Sequence, residues 1–376
     1  MRLNQLAIRR FRNIHQADLF FGPEMNLISG NNGQGKSNLL EAIGLLATGR
    51  SFRRAKTDVL CHHGEKWFSL VGETYHQQLS HTLEFFGQQN RLSVRLDGKN
   101  QSSASAMGQA LAAVVVTPET LRLIEGSPSD RRRYLDWATF AHIRTHAGLV
   151  RDHQTARQSR NKILKAPRPD LKQLDAWEAQ LSQLSAQISI NRYHTTQQLI
   201  SRIEPHLGAL IPGKHHYTIQ LNCQLNRLDS AWHHSEARAI ALYSEMLRSN
   251  RDQDQRIGST RAGPHRDDLF FEMDGQLLSR YGSQGQRKRF ILALKLAEAD
   301  LLEDHLGTAP LLVLDDPASE LDRNGIALLM AHLTQHPRQL FVSSCNDDDI
   351  PWPQTHQTLH RVEGGQFTPF EEPSDS

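Results

Sequence analysis

The chain has 376 residues, 38% of them hydrophobic and 22% charged, with a net charge of +2, a length for about two to three domains and a composition that suits a soluble globular protein. No apolar run approaches the roughly 20 residues of a membrane helix, and the opening MRLNQLAIRRFRNI has neither the apolar core nor the cleavage site of a signal peptide. Three distant cysteines, Cys61, Cys223 and Cys345, suggest neither a zinc site nor a disulfide framework, and fit a reducing cytoplasm. The charge is uneven: residues 1–170 carry a net +10 and residues 301–376 a net −10, and 33 of the 43 basic residues are Arg. Such a front either faces a polyanion or is neutralised by the acidic end within the fold.

In chain order, Leu3–Ile8 and Met25–Ser29 read as strands around an Arg-rich turn, Arg9-Arg10-Phe11-Arg12-Asn13, whose charges serve solubility or form a lip on a ligand site. A helical pattern, Asn38–Leu46, leads to Gly49-Arg50-Ser51-Phe52-Arg53-Arg54, three arginines around one aromatic, suited to a DNA backbone or to a solvated turn. Trp67–Thr74, Thr82–Phe86 and Leu92–Leu96 predict antiparallel strands with Asp97-Gly98 as a tight turn, and Ala112–Val116 a short buried strand. After Thr117-Pro118-Glu119 the pattern is mostly helical to about Gln255. Ser127-Pro128-Ser129-Asp130 predicts a helix start, followed by Arg131-Arg132-Arg133. Ala166-Pro167-Arg168-Pro169 predicts a loop. The stripe Leu171, Leu174, Trp177, Leu181, Leu184, Ile188 predicts a packed helical hairpin, because about two and a half heptads are too few for a long coiled coil. Strands are expected at Asp268–Met273, Gln276–Ser279, Leu311–Leu314 and Gln339–Ser343, and helices from Ser283 through Leu302 and over Arg323–Thr334. The text after Gly364 is acidic and Pro-containing, and is expected to be loose.

The most informative stretch is Gly30-Asn31-Asn32-Gly33-Gln34-Gly35-Lys36-Ser37, a complete G-x-x-x-x-G-K-[ST] pattern between a strand and a helix. The glycines let successive backbone N–H groups turn toward phosphate oxygens, and the helix N-terminus adds its positive end. Lys36 is expected at the β- and γ-phosphates of ATP and the Ser37 hydroxyl on Mg²⁺. The run Leu311–Leu314 ends in Asp315-Asp316, so a strand beside the phosphate-loop strand is expected to present Asp315 to Mg²⁺, with Asp316 orienting or deprotonating the attacking water. Ser283-Gln284-Gly285-Gln286 opens a helix and reads either as an ordinary N-cap or as a second anion site. A second γ-phosphate site on a chain that already has one points to an ATP-dependent homodimer, with Ser283 and Gly285 of one subunit capping the other's nucleotide.

The order G-x-x-x-x-G-K-S, S-Q-G-Q, D-D-P-A-S-E-L-D resembles the SMC-like branch of the ABC-type ATPases and, more narrowly, the RecF family of bacterial recombination mediator ATPases. Phe11-Arg12-Asn13, Gly49–Arg53, Gly126-Ser127-Pro128 with Arg131–Asp136, Gly263-Pro264-His265-Arg266-Asp267-Asp268, and Ser319-Glu320-Leu321-Asp322 also carry the resemblance, which spans nearly the whole chain apart from about 140–255. It implies an α/β fold, an ABC-type P-loop ATPase head with a mixed central sheet, helices and antiparallel strands, and an inserted mainly helical lobe without a long coiled coil. The ATP-binding domain would be split over 1–117 and 256–376, with the lobe at 118–255. The resemblance assigns Lys36 and Ser37 to phosphate and Mg²⁺, with Arg12 and Asn13 beside the nucleotide. Asp315 and Asp316 become the Walker B acids, Ser283 the signature serine acting in trans, and Ser319–Asp322 the loop that meets the partner subunit. It further implies slow, DNA-stimulated hydrolysis, partners RecO and RecR, help in loading RecA at single-strand gaps, and support of the SOS response. Arg50, Arg53, Arg54 and Arg131–Arg133 are the candidate DNA contacts, or else ion-pair partners within the fold.

Some positions depart from the family pattern. Pro317 replaces an apolar residue, Arg287-Lys288-Arg289 makes the signature helix more basic, and Thr117-Pro118-Glu119 stands where relatives place a glutamine loop. Asp rather than Glu at 316, with Ser343-Ser344-Cys345 in place of a histidine, fits slow hydrolysis; Glu320 is the alternative group for orienting water. Two other classes share the phosphate loop: the nucleotide-binding subunit of a membrane transporter, and a small-molecule kinase. The Arg excess disfavours the first, and Ser283–Gln286 has no task in the second.

Overall fold

The structure is a computed structural model that describes residues 1–76, 79–101, 110–353 and 357–369. By contacts the chain forms two compact units, residues 1–122, 203–212 and 283 onward, and residues 123–202 with 213–282. The sequence reading divides the chain at 117/118 and 255/256; the contacts carry the second boundary further, so the strands around Asp274-Gly275 go with the helical unit.

The first unit holds two sheets and, among its helices, Lys36–Thr48, Gln284–Leu306 and Arg323–Thr334. One sheet is antiparallel, in the order Ile14–Phe20, Arg2–Phe11, Trp67–His76, Leu79–Gln88, Arg91–Leu96, Lys99–Asn100. The other runs Gln366–Pro369, Gln357–Glu363, Met25–Ser29, Leu340–Ser344, Leu311–Leu314, Ala113–Val116, and is parallel except for its first pair. Helix Lys36–Thr48 is buried on nearly every side. Its Leu39, Leu40, Ile43 and Leu46 share one core with Leu6, Ile8, Phe68 and Phe85 of the antiparallel sheet and Ile28, Val313 and Phe341 of the other. A helix apolar all round is what a sandwiched position requires. Asp97 and Gly98 both have positive φ, the tight turn their sequence predicts.

Three expectations need correction in this unit. Ile14–Phe20 is a strand missed in the sequence, where outward His15, Gln16 and Asp18 break up its apolar pattern. Gln357–Glu363 is a further missed strand, all but Leu359 and Val362 polar. The text after Gly364 is not wholly loose, since Gln366–Pro369 pairs with that strand through Val362↔Phe367. The acidic residues from 371 onward lie outside the described residues.

In the second unit, helices span Pro128–His142, His146–Leu164, Glu236–Ser249 and Arg251–Ile257, and Leu171–Leu210 begins here. Ser127 caps the first in a reciprocal box with Asp130. The expected loop at Ala166–Pro169 separates His146–Leu164 from Leu171–Leu210, but the second arm runs 40 residues, far beyond its leucine stripe. Its continuation buries Ser189, Thr195 and Thr196, residues whose polarity hides a buried face in the sequence. Tyr217–Asn222, an unexpected strand, pairs antiparallel with Asp268–Met273, which in turn pairs with Gln276–Leu277. Leu278 and Ser279 belong to a short helix instead.

Two arginines tie this unit together. Arg160, fully buried, donates to Glu178 (2.9 Å), Asp254 (2.7 Å), Thr260 (2.9 Å) and the Leu247 carbonyl (3.1 Å). Arg192 forks onto Asp136 (2.8 and 3.0 Å) and reaches Asp267 (2.8 Å) and the Pro264 carbonyl (2.7 Å).

Candidate nucleotide-binding site

Strand Met25–Ser29 is buried throughout and ends at the loop; the helix resumes at Lys36 with Gly35 as its N-cap. Two glycines are dictated by space as well as by φ. A Cβ on Gly30 (φ 154°) would lie 2.3 Å from the Val362 carbonyl oxygen, and one on Gly35 (φ 124°) 2.9 Å from Asn13 Oδ1. Gln34 is held from outside the loop: the Gly365 N–H donates to its carbonyl (2.8 Å), the Gly364 N–H to its side-chain oxygen (2.5 Å), and Asn13 Nδ2 to its carbonyl (3.0 Å). Asn32 Oδ1 accepts from the Cys345 thiol at 3.1 Å.

Lys36 is 5% exposed, and its ammonium donates to the loop's own carbonyls, Gly30 and Asn31 (3.0 Å to the second). Ser37 Oγ donates to Asp315 Oδ1 at 2.7 Å. The site residues Ser37 and Asp315 therefore meet, although the strand carrying Asp315 does not neighbour the phosphate-loop strand as expected. Leu340–Ser344 lies between them, and its Ser343 fills the step: Ser343 Oγ donates to Asp315 Oδ1 (2.9 Å) and accepts from the Asp316 N–H (2.9 Å). Ser343 thus touches both acids, a contact the sequence reading misses by noting Ser343-Ser344-Cys345 only as standing in place of a histidine. Burial pushes the Asp315 carboxyl above the usual carboxylate range, against the pull of the Ser37 and Ser343 hydrogen bonds. Asp316 sits half-buried with φ 50° and ψ 56°, a left-handed conformation that turns the chain into Pro317–Glu320.

Arg12 does not extend toward the loop. Its guanidinium forks onto the fully buried Glu41 (2.9 Å twice) and donates to the Val59 carbonyl (3.1 Å). Asn13 is the residue of that pair that touches the loop. Arg53 approaches the same Glu41 (3.7 Å) and donates to Asn38 Oδ1 (2.8 Å), and Asn38 Nδ2 donates to Asn13 Oδ1 (2.7 Å). Arg50, Arg53 and Arg54 are all exposed. In the second unit, Arg131 is forked onto Asp268 (2.7 and 2.9 Å), Arg132 donates to the Asp267 carbonyl (2.7 Å), and the exposed Arg133 lies 3.4 Å from Asp130. Arg131 and Arg132 thus serve internal contacts.

Ser283 caps helix Gln284–Leu306: its Oγ accepts from the Gln286 N–H (3.2 Å), and Gln286 Oε1 accepts from the Ser283 N–H (2.8 Å). Ser283, Gln284 and Gly285 are exposed, with open space where a Gly285 side chain would stand. Lys288 pairs with Glu320 (2.7 Å) and Arg289 with Asp322 (2.6 Å), so the basic run of this helix fastens the loop after Asp315-Asp316. The donor set at the loop, Ser37 Oγ and Asp315 Oδ1 converging, is made of hard oxygens and fits Mg²⁺. Among the described residues no helix is long and apolar enough to cross a membrane.

Residues 2–363 match the RecF/RecN/SMC N terminal domain family. Curated relatives named DNA replication and repair protein RecF include those of Magnetococcus marinus, 49% identical over 99% of this chain and 98% of that protein, and Geobacter sulfurreducens, 32% identical over 98% and 100%. A solved structure of the recombination mediator protein RecF-ATPrS in RecFOR pathway superposes with a TM-score of 0.88 at 26% identity, covering 98% of both chains. An Smc head bound to the C-winged helix domain of ScpA shares the fold alone, with a TM-score of 0.57 at 13% identity over 100% of this chain and 98% of that one. These relatives do not favour the transporter alternative. The fold is that of an SMC-like ABC-type ATPase head, and the chain belongs to the RecF family of DNA replication and repair proteins.

Proposed function

We propose that the chain is a DNA-binding ATP switch of recombinational repair and replication restart, a split ATP-binding domain with an inserted helical lobe. The observation that carries it is the 2.7 Å contact of Ser37 with Asp315, which brings the two halves of a nucleotide site together; the ATP-bound form of a structural relative supports it. The N–H groups of Gly30–Ser37 surround the phosphates, and Lys36 exchanges its two loop carbonyls for β- and γ-phosphate oxygens. Ser37 and Asp315 would hold Mg²⁺, which when bound offsets phosphate charge. Asp316 accepts the proton of the attacking water, with hydrolysis slow and stimulated by DNA.

The exposed Ser283 and Gly285 cap the nucleotide of a second copy, so ATP drives dimerisation and hydrolysis releases it. Partners are gapped duplex DNA, RecO and RecR, and through them RecA and the SOS response, in the cytoplasm; Arg50, Arg53 and Arg54 supply phosphate contacts, and Arg133 is the exposed member of Arg131–Arg133. The test is mass in solution with no nucleotide, ADP and ATP, each with and without gapped duplex. An ATP-specific dimer that Ser283→Arg abolishes while ATP binding persists is the expected result. Loss of nucleotide affinity with the dimer intact would put Ser283 in its own subunit's site and end the trans reading.

A further inference from the structure

Internal contacts take up the two acids of Gly263-Pro264-His265-Arg266-Asp267-Asp268 but leave part of its basic half unused. Asp267 accepts from Arg192 and Asp268 from Arg131. Its bases belong to a different group, with His153 and Arg157 of helix His146–Leu164. The His153 and His265 rings lie 5.7 Å apart. His265 Nδ1 and His153 Nε2 converge on Gly263, where a Cβ would meet them at 3.1 and 3.4 Å. Neither nitrogen has a hydrogen-bond partner among the described residues, nor has the buried Nε of Arg157. His153 is 5% exposed, while Arg266 is exposed and opens the group to solvent.

Buried polar atoms are almost always hydrogen-bonded, to protein, ordered water or a ligand, and three unpartnered nitrogens in one group leave acceptor-binding capacity there unused. The charge around them is mainly positive, and the one acid facing His153, Asp136, is forked by Arg192. Arg157 feels Arg266, and His265 feels both, and none of the four makes an ion pair among the described residues. Partnerless basic groups gathered with an opening to solvent are the arrangement of an anion site.

We propose that His153, Arg157, His265 and Arg266 form a binding site for a phosphate oxyanion, carried by a nucleic-acid backbone or by free phosphate. The backbone source rests on the DNA-binding reading above; the free source does not. His265 donates from Nε2 to the Thr260 carbonyl (3.0 Å), so its Nδ1 carries a proton only when the ring is charged. Burial and Arg157 hold His265 down at about 3 and His153 at about 4. The charged groups facing the pair are Arg157 on the helix of His153, Arg266, Arg192 on the long helix, and the acid Asp136. A bound anion favours the charged rings, so binding takes up protons and tightens as pH falls.

The full chain is titrated with inorganic phosphate while the imidazole proton signals of His153 and His265 are followed, and duplex binding with ATP is measured at several salt concentrations. Wild type is compared with Arg157→Gln/Arg266→Gln and with the exposed single variant Arg266→Glu, which keeps the test open should the double variant not fold. If the backbone is the source, the double variant lowers the salt slope of duplex binding by about two, and Arg266→Glu by at least about one. If free phosphate is the source, both signals move on titration, more at pH 6 than at pH 8 in wild type and not in the variants, while the duplex slope is unchanged. Unmoved histidine signals together with an unchanged slope overturn the proposal. Lys36→Ala separates the two readings: it loses ATP yet keeps the anion site, and ATP binding retained by Lys36→Ala would sink the nucleotide reading alone.

Discussion

Arg160 and Lys36 are both buried cations, and they are satisfied in opposite ways. Arg160 is fully buried among two carboxylates, a hydroxyl and a carbonyl drawn from separate helices and a loop. Lys36 rests on two neutral carbonyls of its own loop and the Cys345 sulfur, and the Asp315 carboxylate of the site is occupied by two serine hydroxyls. The first arrangement neutralises its charge and leaves nothing for a ligand to improve. The second leaves a positive charge without an anion, so a phosphate can displace weak partners and supply a strong one. Burial alone therefore does not distinguish a structural cation from a functional one; the charge of its partners does.

The comparison is broken most severely by Arg160→Ala, which strands the buried charge of Asp254 and leaves Glu178 with Arg251 alone. We expect a loss of about 3–5 kcal/mol in denaturant unfolding of the full chain; a loss under 1 kcal/mol would mean the carboxylates find other partners. Lys36→Ala should do the reverse, leaving the unfolding midpoint nearly unchanged while weakening ATP by about 1.5–3 kcal/mol, tenfold to a hundredfold in Kd by nucleotide titration. Arg53→Ala with Arg54→Ala is gentler still. It should lower the salt slope of ATP-dependent duplex binding by up to about two and leave sequence preference slight. An unchanged slope would assign Arg53 wholly to its contacts with Glu41 and Asn38.

The smallest effect is a pH dependence. Asp315 has a folded pKa raised above its unfolded value, so the folded state binds the extra proton. Stability then falls as pH rises from the unfolded pKa through the folded one, and above both the full penalty remains. Asp315→Asn should remove this slope from the unfolding midpoint and raise it slightly at neutral pH, while losing Mg²⁺-dependent nucleotide affinity. A variant with the wild-type pH slope would move the titration to another group.

What the sequence made legible was local. Gly30–Ser37, the capped starts at Ser127 and Ser283, and the apolar run before Asp315 each declare themselves within a few residues, because turn geometry, capping and burial act at that range. What it hid was pairing. Ile14–Phe20 and Tyr217–Asn222 are strands because of their neighbours, and their polar residues blur the alternation that would announce them. The position of Ser343 between the two nucleotide strands, the Arg12–Glu41 fork and the engagement of Arg131 by Asp268 are likewise facts of strand order and long-range contact.

Strand Met25–Ser29 has as its two neighbours Leu340–Ser344 and Gln357–Glu363, and Gln34 is gripped by Gly364, 330 positions away. On a ribosome, the phosphate loop emerges with the first tens of residues and waits for almost all the rest before its frame exists. Pairings this distant close slowly, since the chain entropy of the loop is lost before the contacts form. A nascent or truncated chain therefore carries the nucleotide motif without the scaffold that shapes it. ATP capture then waits until synthesis has passed the strands at 340–363.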